Sequence, residues 1–363
     1  MLIIDGHLDL AMNALLWNRD LRRRVADIRA QEAGMEQKGR AAGTVAFPEL
    51  RAGDVAISFA TVIARVEQPG SPMRGYRTHE IAYAHAQGQL AYYRQLEREG
   101  VVRMLRDWPS VQAHLAAWQA DHVRTPLGII LCMEGADPIV EPDQAAAWYA
   151  DGLRIVSLAH YGPSAYAKGT ESVGPLTDKG RDLLKRMEAL GIVLDVTHLS
   201  DESFFEALDR FGGPVLASHS NCRALVPGDR QLTDDMLQRL FARDAVIGAV
   251  MDAWMLQPGW IKGVTTNAEV SLANVVEHID HVCQLAGNAR HAAIGTDLDG
   301  GYGTEQCPRD LDTIADLQHI PDLLERRGYR DADIAAIMHG NWLRLLERVW
   351  SGKATERDSP ERG

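Results

Sequence analysis

Short apolar runs recur along the chain, near residues 2–6, 55–64, 128–133, 153–158, 192–197, 214–218, 246–251 and 292–297. Between them lie longer stretches with helical spacing: Thr78 to Glu99, Asp178 to Leu190, Asp201 to Phe211, Thr233 to Arg243, Ser271 to Gly287 and Leu311 to Arg327. Alternation of this kind predicts βα units on a parallel sheet, and strands that are apolar throughout predict a sheet buried on both faces. About eight such strands fit a closed (β/α)8 barrel. The other candidate, a doubly wound open sheet, has difficulty bringing the first and last strands to one site.

Polar residues of ligand type stand where these runs end. Behind Leu2-Ile3-Ile4 comes Asp5-Gly6-His7-Leu8-Asp9, and on a strand His7 and Asp9, two residues apart, project to the same side. The run ending at Met133 is followed by Glu134-Gly135, and the run through Asp195-Val196-Thr197 by His198. Ser218 precedes His219, Val250 precedes Met251-Asp252, and Thr296 precedes Asp297. In a barrel the strand C-termini share one face, so His7, Asp9, Glu134, His198, His219 and Asp297 are expected to converge there. Nitrogen and oxygen donors in this mixture suit Zn2+. An unpaired Glu134 at the end of a buried strand would cost several kcal/mol unless a cation or hydrogen bonds offset it.

At 363 residues the chain exceeds the usual barrel by roughly a hundred, which helical insertions and a terminal extension can absorb. No linker-like or low-complexity break interrupts it, so residues 1–350 are expected to form one catalytic domain and 351–363 a disordered tail. A net charge of -12 argues against nucleic acid as a partner, and Arg22-Arg23-Arg24 is the one tight basic run. No stretch approaches the ~20 apolar residues of a membrane span, and no signal-peptide pattern opens the chain, so a soluble, cytoplasmic protein is expected. Cys132, Cys222, Cys283 and Cys307 lack metal or disulfide spacing. Cys222 as a nucleophile competes with a ligand role for its neighbour His219.

Taken in order, Asp5-Gly6-His7-Leu8-Asp9, Glu134-Gly135, Asp195-Val196-Thr197-His198-Leu199-Ser200-Asp201, Ser218-His219-Ser220-Asn221, Gly295-Thr296-Asp297-Leu298-Asp299-Gly300 and His339-Gly340-Asn341-Trp342-Leu343-Arg344 resemble the motifs of the renal (membrane) dipeptidases, peptidase family M19 of the amidohydrolase superfamily. The resemblance spans residues 3 to 349. It implies a distorted (β/α)8 barrel of the metal-dependent hydrolase type with two zinc ions and a bridging water or hydroxide. One metal would be held by His7, Asp9 and Glu134 and the other by Glu134, His198 and His219. The implied activity is hydrolysis of L-Xaa-L-Xaa or L-Xaa-D-Xaa dipeptides by hydroxide made available at neutral pH.

By the same resemblance His160 would stabilise the tetrahedral oxyanion, Arg230 would bind the substrate carboxylate, with Arg223 as its competitor, and Asp297 would be the proton shuttle, with Asp299 as its competitor. Asp195 and Asp201, which flank His198, read as groups behind the ligands or as caps. The segment Met251-Asp252-Ala253-Trp254-Met255-Leu256 departs from the aromatic or Asn-rich stretch expected there, and Asp252 could select a basic side chain or an amino group, or simply cap the strand. Side-chain preference, stereochemistry, metal identity and pathway stay open, and a homodimer is compatible with the resemblance. The alternative activity is hydrolysis of a lactam, lactone or N-acyl amino acid on the same metals. A non-catalytic barrel would be expected to have lost a metal ligand, and none is missing.

Overall fold

The computed structural model describes residues 1–261 and 263–351. Apart from Ser351, the tail of the sequence reading lies outside the described residues. Among the described residues nine parallel strands form one sheet: β1 Ile3–Leu8, β2 Val55–Ile63, β3 Val102–Met104, β4 Leu127–Glu134, β5 Ile155–Ser157, β6 Val193–Asp195, β7 Val215–Leu216, β8 Ile247–Ala249 and β9 Ala292–Ile294. Eight follow one another around a ring in the order β7-β6-β5-β4-β2-β1-β9-β8. The ring is nearly closed by a bridge between Ala217 and Ile247, where Ala217 N donates to Val246 O at 3.0 Å and Gly248 N to Ala217 O at 2.9 Å. These eight correspond to the eight apolar runs, and the fold is a (β/α)8 barrel. The ninth, β3, pairs with the first half of β4 from Val102↔Leu127 to Met104↔Ile129. With three residues and Arg103 at its centre, it carries too little apolar pattern to stand out in the sequence.

Four of the expected helices open at a hydroxyl cap: Thr78, Thr177, Ser200 and Thr233 accept hydrogen bonds from the amides of Ile81, Gly180, Ser203 and Met236. Their spans, His79–Arg98, Asp178–Leu190, Asp201–Arg210 and Asp234–Ala242, follow the predicted ones closely, as does Leu272–Ala286. The stretch 311–327 instead splits into a 3-10 turn, Ile314–His319, and a short α-helix, Ile320–Arg326. Pro321 stands at the junction, where a missing N–H is tolerated only in a first helical turn.

Glycines decide how tightly the ring closes. A Cβ on Gly295 would lie 1.8 Å from the Ser218 carbonyl oxygen, one on Gly248 2.0 Å from it, and one on Gly6 2.8 Å from it. Strands β1, β8 and β9 therefore pack against the end of β7 backbone to backbone, with no side chain between them. The buried Trp342 completes the contact: its indole N–H donates to Ile294 O at 2.8 Å, and a Cβ on Gly6 would meet its ring at 2.6 Å. Each glycine sits one or two residues before, or on the strand next to, a residue of the predicted site.

Candidate metal centre

All six strand-end residues of the sequence reading meet at the C-terminal mouth of the barrel, together with His160. The Glu134 Oε1 atom is their hub. It lies 3.2 Å from His198 Nε2, 3.4 Å from His219 Nε2, 3.7 Å from His160 Nε2 and 3.8 Å from His7 Nε2. His7 Nε2 is also 3.9 Å from Asp9 Oδ1 and 3.7 Å from Asp297 Oδ1. Three groups of donor atoms lie within 4.8 Å of one another: His7, Glu134 and His219; Glu134, His160 and His198; and His7, Asp9 and Asp297. Glu134 belongs to two of them. His160 and Asp297 thus stand as close to the centre as the five residues expected to be ligands.

The donor set fits divalent metal ions. His7 Nε2 is buried and has no hydrogen-bond partner among the described residues. His198 Nε2 and His219 Nε2 face each other at 3.3 Å, an arrangement that needs a proton or a cation between the lone pairs. On the far side of each ring, Nδ1 is engaged: His198 with Thr170 Oγ1 at 3.0 Å and His219 with Ser218 Oγ at 2.8 Å. Ser218 Oγ donates in turn to Asp195 Oδ2 at 2.5 Å, so it accepts from His219 Nδ1–H and leaves Nε2 unprotonated for coordination. Thr61 Oγ1 donates to Asp9 Oδ1 and steers that carboxylate.

Electrostatics point the same way. Burial lowers the pKa of all four imidazoles, that of His7 to about 3, which keeps them in the neutral form that binds metals. Burial and then the neighbouring Glu134 charge raise Asp9 to about 7, and the same two causes raise Asp297. Burial and mutual repulsion outweigh the Arg65 and Arg230 charges at Asp9 and Asp297, and metal ions would supply the missing compensation. His198 and Asp297 hold left-handed backbone conformations, φ 69° and 57°, uncommon for residues with a Cβ and worth on the order of 1–3 kcal/mol each in strain. At both positions the turn aims the side chain back into the mouth.

Around the centre lies a cleft of about 300 Å³ whose walls include Asp9, Arg65, His160, Arg230, Asp252 and Asp297. The two pairs of competing candidates are separated here. Arg230, 4% exposed, lines the cleft and donates to His219 O at 2.8 Å, whereas Arg223 is spent on Asp201 through two bonds of 2.7 Å. Asp297 faces His7, whereas Asp299 points away and accepts from Thr44 N at 2.7 Å, Thr44 Oγ1 at 2.8 Å, Val45 N at 3.1 Å and Arg19 Nη1 at 3.2 Å. Asp252 does two things: it caps the turn Ala253–Met255 and lines the cleft, with Gln306 Nε2 donating to it at 2.7 Å. Asp195 buttresses His219 through Ser218 rather than touching His198. The Cys222 thiol is buried and pushed up in pKa, which removes it as a nucleophile. Arg65 was missed in the sequence, although it follows an apolar run directly and obeys the same strand-end rule as the ligands.

A parallel barrel carrying imidazoles and carboxylates at its strand C-termini is a scaffold suited to metal-dependent chemistry. The profile of the membrane dipeptidases, peptidase family M19, matches residues 1–360, and the chain belongs to that family. It is 30% identical over 267 residues to an uncharacterized dipeptidase of Schizosaccharomyces pombe, covering 70% of this chain and 61% of that protein. It is also 30% identical over 234 residues to an uncharacterized protein of Klebsiella pneumoniae, covering 62% of this chain and 83% of that one. Among solved structures it resembles a metallo peptidase of Rhodobacter sphaeroides liganded with a phosphinate mimic of L-Ala-D-Ala, with TM-score 0.78 and 22% identity over 96% of this chain and 99% of that one. Among the described residues no helix is long and apolar enough to cross a membrane.

Proposed function

We propose that this chain is a binuclear zinc dipeptidase, with residues 1–350 as one catalytic domain, acting on L-Xaa-L-Xaa or L-Xaa-D-Xaa dipeptides. The observation that carries the reading is a single carboxylate oxygen, Glu134 Oε1, within 3.2–3.8 Å of four imidazole Nε2 atoms. A carboxylate so placed would serve two ions, one held also by His7 and Asp9 and the other by His198 and His219. Held by these residues, such ions would supply polarisation of the scissile carbonyl and a hydroxide from water near neutral pH.

The protein's own groups do the rest. Arg230 presents a guanidinium to the cleft and makes no ion pair among the described residues, so it can receive the C-terminal carboxylate in a bidentate pair. Recognition of that carboxylate one residue beyond the scissile bond restricts substrates to dipeptides. His160, 3.7 Å from Glu134 through Nε2, offers a hydrogen bond to the carbonyl oxygen as charge develops there. Asp297, raised in pKa, accepts the proton of the attacking water at Oδ1 and passes it to the departing amine. The dipeptide mimic bound by the Rhodobacter sphaeroides peptidase supports this substrate class.

The test is metal content per chain on purified protein, combined with hydrolysis of L,L- and L,D-dipeptides with and without chelator. About two zinc ions and chelator-sensitive cleavage are expected. Two metals with cleavage of lactones or N-acyl amino acids but not dipeptides would move the substrate elsewhere, and protein without metal would overturn the reading.

A further inference from the structure

Arg65 is a half-buried cation in the wall of the cleft that neither the metal centre nor carboxylate capture by Arg230 employs. It follows β2 at the mouth, and burial lowers its pKa. Its backbone is held on both sides: Tyr76 N donates to Arg65 O at 2.8 Å, and Val66 N donates to Asp137 Oδ2 at 2.8 Å. The carboxylates in its field are otherwise engaged. Asp137 gives its other oxygen to Ala165 N at 3.0 Å, while Asp9 and Glu134 turn toward the imidazoles. Among the described residues the Arg65 guanidinium forms no ion pair, and its hydrogen bond goes to the weak acceptor Met73 Sδ at 2.8 Å. Metals held by Asp9 and Glu134 would leave this guanidinium without an anionic counterpart of its own.

Ring order places Arg65 relative to Arg230. In the sequence β7-β6-β5-β4-β2-β1-β9-β8, β2 and β7 stand four places apart in a ring of eight, on opposite walls. Arg230 is tied to the end of β7 through His219 O and Ser220 Oγ. A dipeptide with its C-terminal carboxylate on Arg230 and its scissile carbonyl at Glu134 therefore extends its first residue toward β2. The α-ammonium is repelled from that wall and is left to Asp297 and Asp252, on the β9 and β8 side.

We infer, resting on the dipeptidase reading, that Arg65 recognises a carboxylate on the side chain of the substrate's first residue, so that the enzyme prefers Glu-Xaa or Asp-Xaa dipeptides. A guanidinium offers a carboxylate two parallel hydrogen bonds that an amide isostere cannot match in charge.

The experiment compares kcat/KM of the metal-loaded enzyme for Glu-Ala against Gln-Ala, with Ala-Glu against Ala-Gln as the positional control, in the wild type, Arg65→Met and Arg65→Lys. A Glu-Ala over Gln-Ala ratio of about tenfold or more, carried mainly by KM, is expected in the wild type. Arg65→Met should bring the ratio to within twofold, and Arg65→Lys should keep part of it. The wild-type ratio stands as a test even if a variant folds poorly. Equal use of Glu-Ala and Gln-Ala would overturn the inference and leave the dipeptidase reading intact. So would a preference confined to Ala-Glu, or a ratio unaltered in Arg65→Met. Absence of cleavage of any dipeptide would instead remove the dipeptidase reading, and this inference with it.

Discussion

The two sides of the barrel hold the same centre by different means. On one side β2 and β4 run nine and eight residues and pair at seven consecutive positions from Ile57↔Gly128 to Ile63↔Glu134, with β1 alongside. On the other, β5 to β9 are two or three residues long, and β7 meets β8 through an isolated bridge. His7 and Glu134 come from the first side and stand in or at the end of regular strands, with Asp9 directly after. His198, His219 and Asp297 come from the second and stand in the turns beyond the strands, two of them with left-handed backbone. Where the ladder is long, its hydrogen bonds do most of the placing, with the Thr61 hydroxyl steering Asp9. Where it is short, glycine contacts, strained turns and buttressing hydroxyls take over that task.

Replacement of Gly295 by Val should break the short-strand side outright, because the added carbon meets the Ser218 carbonyl at 1.8 Å and both partners are backbone. A loss of about 3 kcal/mol or more is expected, read as failure to yield soluble folded protein or as a collapsed melting transition. Next in size is Glu134→Gln at the end of the long ladder. It should fold normally, bind less than one metal per chain and lose about a thousandfold or more in kcat. A fully active two-metal variant would remove Glu134 from its bridging role.

Arg230→Met should raise KM by about one to two orders of magnitude with metal content unaltered, which separates substrate capture from metal binding. Asp195→Asn tests the buttress on the short-strand side: metal affinity should fall by about 10–100-fold, measured by competition with a chelator of known strength. On the long-ladder side the corresponding hydroxyl is Thr61, which donates to Asp9 with no second carboxylate behind it, so an equal loss of metal affinity in Thr61→Ala would erase the contrast between the two sides.

The smallest effect lies outside the barrel, where Glu206 joins the helices Asp178–Leu190 and Asp201–Arg210. Its hydrogen bond with Arg181 at 2.7 Å is the largest cause lowering its pKa to about 2, with Arg210 and Leu176 N adding to it. A lowered folded pKa gives stability that is present above the unfolded value near 4.5 and is lost as pH falls toward 2. Glu206→Gln should therefore flatten the decline in melting temperature across that window, by under about 1 kcal/mol given the partly exposed pair. An unaltered acid limb would show that the pair contributes nothing.

Eight of the nine strands were legible because a buried parallel strand is apolar on both faces and leaves a dense run. The helix starts were legible because Thr78, Thr177, Ser200 and Thr233 are caps whose chemistry is local. The candidate ligands were legible for a related reason: a carboxylate or imidazole at the end of such a run is anomalous wherever the chain goes next. Strand β3 was lost because Arg103 interrupts a pattern only three residues long, and the break at Pro321 was lost inside a stretch that otherwise keeps helical spacing.

What the sequence determined by itself was the periodicity, the strand-end donors and the family motifs, all of which depend on neighbours within a few residues. Only the tertiary structure decided between Asp297 and Asp299 as the carboxylate facing the centre, because two residues in a left-handed turn send their side chains in unrelated directions. Only it set Arg230 in the cleft and Arg223 on Asp201, and put Arg65 across the mouth from Arg230. The placing of Arg65 opposite Arg230 depends on the ring order of strands far apart in the chain, and the close approach that fixes the ring is made by glycines whose role no local pattern encodes.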